Sequence, residues 1–433
     1  MSDVAVAPAG VEPRRPAART FDGAGLLSGA TVASGVLAYA YHVLAARTLG
    51  PDAYGLVAVL WAALFLLVVV LFRPAEQTTS RAIADRLARG LGARSVLRAV
   101  AIVYGGVAVA LLVGAAVAWP LLRDRLFLGD SFFAASLVAA LLAYGFAYVL
   151  RGVCAGVGWF GGYALLLVTD GVVRVLVCVP LLLVASRDLA AAAMVAAAVA
   201  SVVVPVAVGR RALATTVRDR GDGESFRCGA VVAFAWPAAV IAVADQVLVN
   251  GGPVLVMLGG GAGVSSTAAV VFAATMLVRI PVFVFQGLAT SLLPNLTRLH
   301  AGGDAEALRR AALRAAGALA GCAAVIVAAA AAAGPEAMQL VYGPEYGAGR
   351  LELALLAVGV GCYLAIATFS QALLALDAGR AAAACWCACA VTFVAVYAVS
   401  GGGALFRVAV AFAAGTAVGV PLLARALGRR RQG

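Results

Sequence analysis

The stretch LLSGATVASGVLAYAYHVLAARTLGPDAYGLVAVLWAALFLLVVVLF, residues 26–72, decides the fold class. Two apolar runs, 26–48 and 54–72, flank a turn built on Gly50, Pro51 and Asp52. Each run approaches the roughly 20 residues that carry a helix through the hydrocarbon of a bilayer. A helix satisfies its own backbone hydrogen bonds there, and no alternating β-type pattern competes with it. The chain is read as all-α and polytopic.

Working outward, further runs cover 98–119, 132–150, 164–185 and 189–209, then 229–257, 265–293, 314–334, 351–373, 381–399 and 404–425. That predicts about 12 transmembrane helices. The seventh and eighth are long, which predicts tilt or a break. Composition agrees: 64% of the 433 residues are hydrophobic and 12% charged, too few charges to cover a soluble protein of this size.

All 32 basic residues are arginine, and the net charge is +12. In a soluble chain such a charge would suggest nucleic acid. Here the arginines sit in short segments between spans, so they report topology and no nucleic-acid partner is expected. Arg14, Arg15, Arg19, Arg73, Arg81, Arg151, Arg210, Arg211, Arg298, Arg380, Arg429 and Arg430 fall on one side of the twelve-span layout. Arg47, Arg123 and Arg187 fall on the other, near Asp52, Asp124 and Asp188. The positive-inside rule then predicts a multi-pass protein of the plasma (inner) membrane with both termini cytoplasmic. Residues 1–25 carry three prolines but no apolar core or cleavage site, and are expected to form a disordered cytoplasmic tail ahead of an uncleaved first helix.

The longest polar stretch, 210–228, is expected to be a cytoplasmic linker between two pseudo-symmetric six-helix halves, 26–209 and 229–433. A repeat supports the division. FLGDSFFAASLVAALLAYG, ending at Gly145, aligns without a gap with VYGPEYGAGRLELALLAVG, ending at Gly359. Duplicated halves are common in secondary transporters, with the substrate site between them.

AARTLGPDAYGLVAVLWAALF, residues 45–65, resembles the polysaccharide-biosynthesis flippases of the multidrug/oligosaccharidyl-lipid/polysaccharide exporter superfamily, relatives of the multidrug and toxin extrusion proteins. The matching residues of the motif R-x-L-G-P-x-x-Y-G are Arg47, Leu49, Gly50, Pro51, Tyr54 and Gly55. LVRIPVFVFQGLATSLLPNLTRL, residues 277–299, looks like that family's eighth span, and LVYGPEYGAG, residues 340–349, like the turn after its ninth. Lipid II flippases of the superfamily usually have fourteen spans, two more than here. Locally, the Gly-Pro-Asp turn also has a plain role as a turn, and Tyr54 a plain role as an anchor at the membrane–water interface.

Charged side chains inside a bilayer cost about 3 kcal/mol or more and face a cavity or a partner. Asp170 and Arg174 of span five, Asp245 of span seven and Arg279 of span eight lie deep enough. Asp170 and Arg174 stand four apart on one helix face, suited either to a structural pair or to an arginine held for an anionic headgroup. Asp245, with Gln246 and Asn250, makes a polar stripe beside Gly251, Gly252 and Pro253, where a helix is weakened. Asp245, Asp170, Asn250 and Pro253 are candidates for coupling or gating. Arg279, ahead of Pro281, is a candidate for binding cargo or for pairing with Asp245. Arg73, Arg81 and Arg151, at the inner ends of spans two and four, either report topology or form a cationic mouth suited to phosphate. His42 in span one is a further polar candidate.

No nucleotide loop, metal-binding aspartate pair or zinc-type histidine pair occurs, and only His42 and His300 could do imidazole chemistry. Neither cofactor nor metal is expected. Cys385, Cys387 and Cys389 alternate on one helix, so they cannot share a metal. The resemblance implies a flippase moving a polyprenyl-pyrophosphate-linked oligosaccharide outward by alternating access, with the bilayer and the lipid-linked saccharide as partners, and polysaccharide polymerase or glycosyltransferase machinery as further ones. An ion-coupled multidrug extruder is the alternative. A membrane-embedded scaffold or glycan-assembly enzyme is the alternative of another class.

Overall fold

The structure, a computed structural model, describes residues 17–217, 228–280, 305–375 and 378–429, with side chains over 25–209, 239–280, 321–374 and 378–427. The described residues form α-helices with one short π and one short 3₁₀ segment, and no strand.

Helix α1, Ala17–Ala88, holds the first two spans as two arms that meet at Gly50, whose φ of 68° and ψ of 171° break the helical path. A residue with a side chain is disfavoured in that conformation, and Pro51 is pre-set to start the second arm. Next come α2 (Arg94–Val117), α3 (Ser131–Gly156), α4 (Phe160–Cys178) and α5 (Arg187–Val217). They are followed by α6 (Cys228–Gly259), α7 (Val264–Val278), α8 (Ala305–Tyr342), α9 (Arg350–Ala375), α10 (Gly379–Val399) and α11 (Ala404–Arg429). Ten helical stretches are long and apolar enough to cross a membrane, one of them the folded α1, and α7 is a shorter apolar helix. Counting the arms of α1 singly gives eleven, and α7, whose expected span runs on into residues outside the described ones, makes the twelfth.

Several boundaries differ from the expected ones. The helix begins at Ala17, inside the stretch expected as a tail, and residues 1–16 lie outside the described residues. The second arm runs through Pro74 to Ala88, well past the apolar run that ends at Phe72. Beyond that point Ala75, Thr79, Ile83 and Arg86 stay buried at helical spacing. Hydropathy marks where lipid ends, whereas the amphipathic stripe marks where the helix ends. Around the expected linker, α5 continues to Val217 and α6 starts at Cys228. Residues 218–227 and the later part of the eighth span, 281–293, lie outside the described residues, as do Arg298 and His300.

Packing gathers the helices into two groups. Both α3 and α4 lie against α1 and α5; α9 lies against α8 and α11, and α10 against α6 and α11. The groups meet chiefly where α1 touches α6 and α7. The aligned repeat has matching local geometry. Gly129 and Gly343 both have positive φ, 90° and 120°. A Cβ on Gly145 would press on the Phe72 ring, and one on Gly359 on the Phe412 ring. Asp130 caps α3 by accepting from the backbone N–H groups of Phe132 and Phe133, at 2.9 and 3.2 Å.

Candidate functional site

At the Gly50 end, the R-x-L-G-P-x-x-Y-G residues join the two groups. The Arg47 guanidinium donates to the carbonyls of Leu340 and, at 2.8 Å, Val341, in the last turn of α8. Those carbonyls have no intrahelical donor, and they carry the negative end of the helix dipole. The Tyr346 hydroxyl donates to the Ala46 carbonyl at 3.2 Å, and the Ser265 hydroxyl to the Asp52 carbonyl at 2.7 Å. At Gly55 α1 packs so closely on Ser265 of α7 that no side chain fits between them. Tyr54 is fully buried, not an anchor at the membrane surface. Its hydroxyl lies 3.0 Å from His42 Nδ1, and its ring packs on Phe272 and Tyr346 of the other group. His42 is buried among Tyr41, Trp61 and Phe272, and its Nε2 has no partner. Nothing in the sequence links residue 47 to residue 340; only the chain's return through α8 brings them together.

Deeper in the first group, Arg174 is 1% exposed and Asp170 5%. Arg174 Nη2 donates to Asp170 Oδ2 and, at 2.6 Å, to the Tyr144 hydroxyl, which itself donates to Asp170 Oδ1 at 2.7 Å. The guanidinium lies 4.8 Å from the Trp61 ring centroid. Helical spacing supplies the pair, and Tyr144 from α3 completes it. Arg174→Met, which strands Asp170 without its cation, is expected to lower stability by about 3–5 kcal/mol. Heating the purified variant and following its monodisperse fraction measures the loss. Adding Asp170→Leu is expected to recover most of it, and an unchanged single variant would show the pair to be idle.

In the second group, both oxygens of Asp245 accept hydrogen bonds, from the Tyr363 hydroxyl at 2.7 Å and Gln246 Nε2 at 2.9 Å. Gln246 Oε1 accepts in turn from Asn250 Nδ2 at 2.7 Å. Helix α6 runs unbroken through Gly251, Gly252 and Pro253, the weakened stretch, so tilt rather than a break accommodates the long span. Proline removes the N–H that would bond four residues back, to the carbonyl of Val249. Arg279 Nη1 donates to that same carbonyl at 3.3 Å. An arginine of α7's C-terminal cap thus replaces the bond that Pro253 cannot make. Arg279 is half-buried, and among the described residues no ion pair within 4.0 Å joins it to Asp245. Asp245, Tyr363 and Tyr39 of α1 lie within its electrostatic reach.

The three arginines of the expected cationic mouth differ in their surroundings. Arg73 is exposed, within electrostatic reach of Tyr148 on α3 and of Tyr363 on α9, so it faces both groups. Among the described residues it has no hydrogen bond or ion pair. Arg81 is exposed two turns further along α1, and Arg151 is buried beside Tyr148. The cysteines of α10 differ in burial, Cys385 intermediate, Cys387 exposed and Cys389 buried, as alternate positions on a helix do.

This is a polytopic helical membrane fold of two helix groups that pack on each other through α1, α6 and α7. It is the fold of solved MATE family transporters of the MOP superfamily. The inward-facing conformation of a multidrug resistance MATE family transporter matches with a TM-score of 0.75 at 16% identity, over 92% of this chain and 96% of that chain. The outward-facing conformation of a multidrug resistance MATE family transporter matches at 0.63 and 15%, over 95% and 96%. A MOP superfamily transporter from Pyrococcus furiosus, described as having a binding pocket of reverse polarity that suggests a different function, matches at 0.63 and 16%, over 95% and 96%. No protein-family profile matches the chain, and no curated protein matches it.

Proposed function

We propose that the protein is an alternating-access transporter of the plasma (inner) membrane that moves an anionic amphiphile, a polyprenyl-pyrophosphate-linked oligosaccharide, from the inner to the outer leaflet. One observation carries the choice of cargo. The intramembrane carboxylates are already engaged, Asp245 by Tyr363 and Gln246 and Asp170 by Arg174, while among the described residues Arg73 makes no hydrogen bond or ion pair and Arg279 bonds only to a backbone carbonyl. A cationic drug needs an available carboxylate; a pyrophosphate needs available guanidinium forks. The two helix groups are the natural rocking bodies, and a site between them suits alternating access.

The contacts that join the groups cluster at the Gly50 end, and the better structural match is to an inward-facing form. Both support the Gly50 end as the outer, closed side, in agreement with the arginine bias. Tags at residues 10, 215 and 430 are therefore expected to be accessible from the cytoplasm and a tag at residue 128 from outside. An outside signal at residue 215 alone would overturn the arrangement.

Multidrug extrusion is the second reading, favoured by the subject of the matching structures, and would use Asp245 after Tyr363 and Gln246 let go. Proteoliposomes loaded with a fluorescent polyprenyl-pyrophosphate saccharide, with ethidium as the comparison cargo, separate the two. Ethidium transport without flipping of the lipid would favour the second.

A further inference from the structure

We propose that Arg151 is a phosphate-binding residue inside the first helix group, a station at which the phosphate of the amphiphile is held, with Arg73 close by, before it reaches Arg279. This deepens the function proposed above and rests on it for the identity of the amphiphile.

Arg151 is 9% exposed. Among the described residues it makes no hydrogen bond and no ion pair. Its Nε is sealed from solvent without a partner, and its guanidinium lies 4.6 Å from the Tyr148 ring centroid. The carboxylate in its neighbourhood, Glu76, is within electrostatic reach but accepts a hydrogen bond from the Tyr163 hydroxyl instead. Arg174 in the same helix group also leaves its Nε unpartnered, but its Nη2 is bonded to Asp170 and Tyr144, whereas no nitrogen of Arg151 has a bond among the described residues. Leaving a buried charged donor unbonded is among the larger penalties a fold can carry. A site that keeps such a donor ready has a use for an acceptor from outside.

The position follows from packing. A Cβ on Gly152 would lie 2.7 Å from the Glu76 carbonyl, so the missing side chain lets α3 rest on the second arm of α1 and brings Arg151 beside Glu76. Arg73 stands one turn before Glu76, and it shares Tyr148 as a neighbour with Arg151. A guanidinium offers two parallel N–H groups to two phosphate oxygens, and a second phosphate would come within reach of Arg73. Glu76 adds a like charge to the anion's, which limits how tightly it is held and favours onward release.

The test uses the full chain in nanodiscs of phosphatidylcholine, titrated in parallel with a polyprenyl pyrophosphate and with phosphatidylglycerol. Arg151→Gln is expected to weaken polyprenyl-pyrophosphate binding about ten- to hundredfold, the net loss of one hydrogen bond to a charged group. Arg151→Lys is expected to fall between the two. Without ligand, Arg151→Gln is expected to melt at or above the wild-type temperature, because it removes an unpaired buried charge. The polyprenyl pyrophosphate should raise the melting temperature of the wild type alone. Equal binding by wild type and Arg151→Gln would overturn the inference and leave the proposed cargo intact. Arg151-dependent binding of phosphatidylglycerol alone would uphold the phosphate site and sink the cargo. A ligand-free variant that melts lower than wild type would assign Arg151 a structural role and refute the proposal, as would a wild type that binds neither lipid.

Discussion

Gly55→Val is expected to keep the protein out of the conformation described above and to abolish transport. A Cβ on Gly55 would lie 2.1 Å from the Ser265 carbonyl oxygen and 2.4 Å from its hydroxyl. The obstacle is backbone, which cannot swing aside as a side-chain tip can. Overpacking costs about 1–3 kcal/mol. Charged to one of two conformers, that shifts their ratio by about 5–150-fold. The clash exists only where α1 meets α7, so each helix group keeps its own packing and the variant should remain folded. Bio-orthogonal spin labels at the exposed Asp52 and Pro344 would read the outcome. The wild type should give a short distance and the variant a long one. Arg47→Ala, which removes the donors to Leu340 and Val341, should shift the distance in the same direction by less. A short distance and full transport in Gly55→Val would show that this contact is no gate.

Arg279→Ala is expected to reduce transport of the pyrophosphate-linked lipid by about a hundredfold or more, because each hydrogen bond from a charged donor contributes about 1.5–3 kcal/mol and a phosphate takes two. Arg279→Lys should keep part of the rate, since it retains charge without the planar fork. Two double variants separate binding from fold. Adding Asp245→Ala should recover nothing, because the carboxylate is held by Tyr363 and Gln246 and not by the arginine. Adding Pro253→Ala restores the donor to the Val249 carbonyl, the bond that Arg279 now supplies. Recovery of transport in Arg279→Ala, Pro253→Ala would assign the arginine to helix α6 rather than to the cargo. Initial rates of flipping at matched protein density provide the measurement.

The all-α class, the set of about a dozen apolar helices and the place of Asp170, Arg174 and Asp245 within them were legible in the sequence, because lipid imposes one simple rule on every spanning residue. An apolar run of fixed length must be helical, and a charge within it must have a partner. The Asp170–Arg174 pair was legible for the same local reason, as four residues is one helical turn. The turn at Gly50 was legible too, from glycine and proline chemistry alone.

What the sequence could not decide was which partner each of those charges takes. Arg279 meets the carbonyl that Pro253 frees, thirty positions back along the chain, and Arg47 meets the end of α8, nearly three hundred positions on. Tyr54 has the composition of an interfacial anchor, yet it is buried against His42, Phe272 and Tyr346. Arg151 has the sequence context of an ordinary inner-loop arginine, yet it is buried beside Tyr148 with its Nε sealed from solvent and unpartnered. Periodicity and hydropathy report one residue's surroundings averaged over its own helix. Pairing depends on which helix faces that residue and at what height, and this is set by the joint packing of both helix groups, where only the tertiary structure has a say.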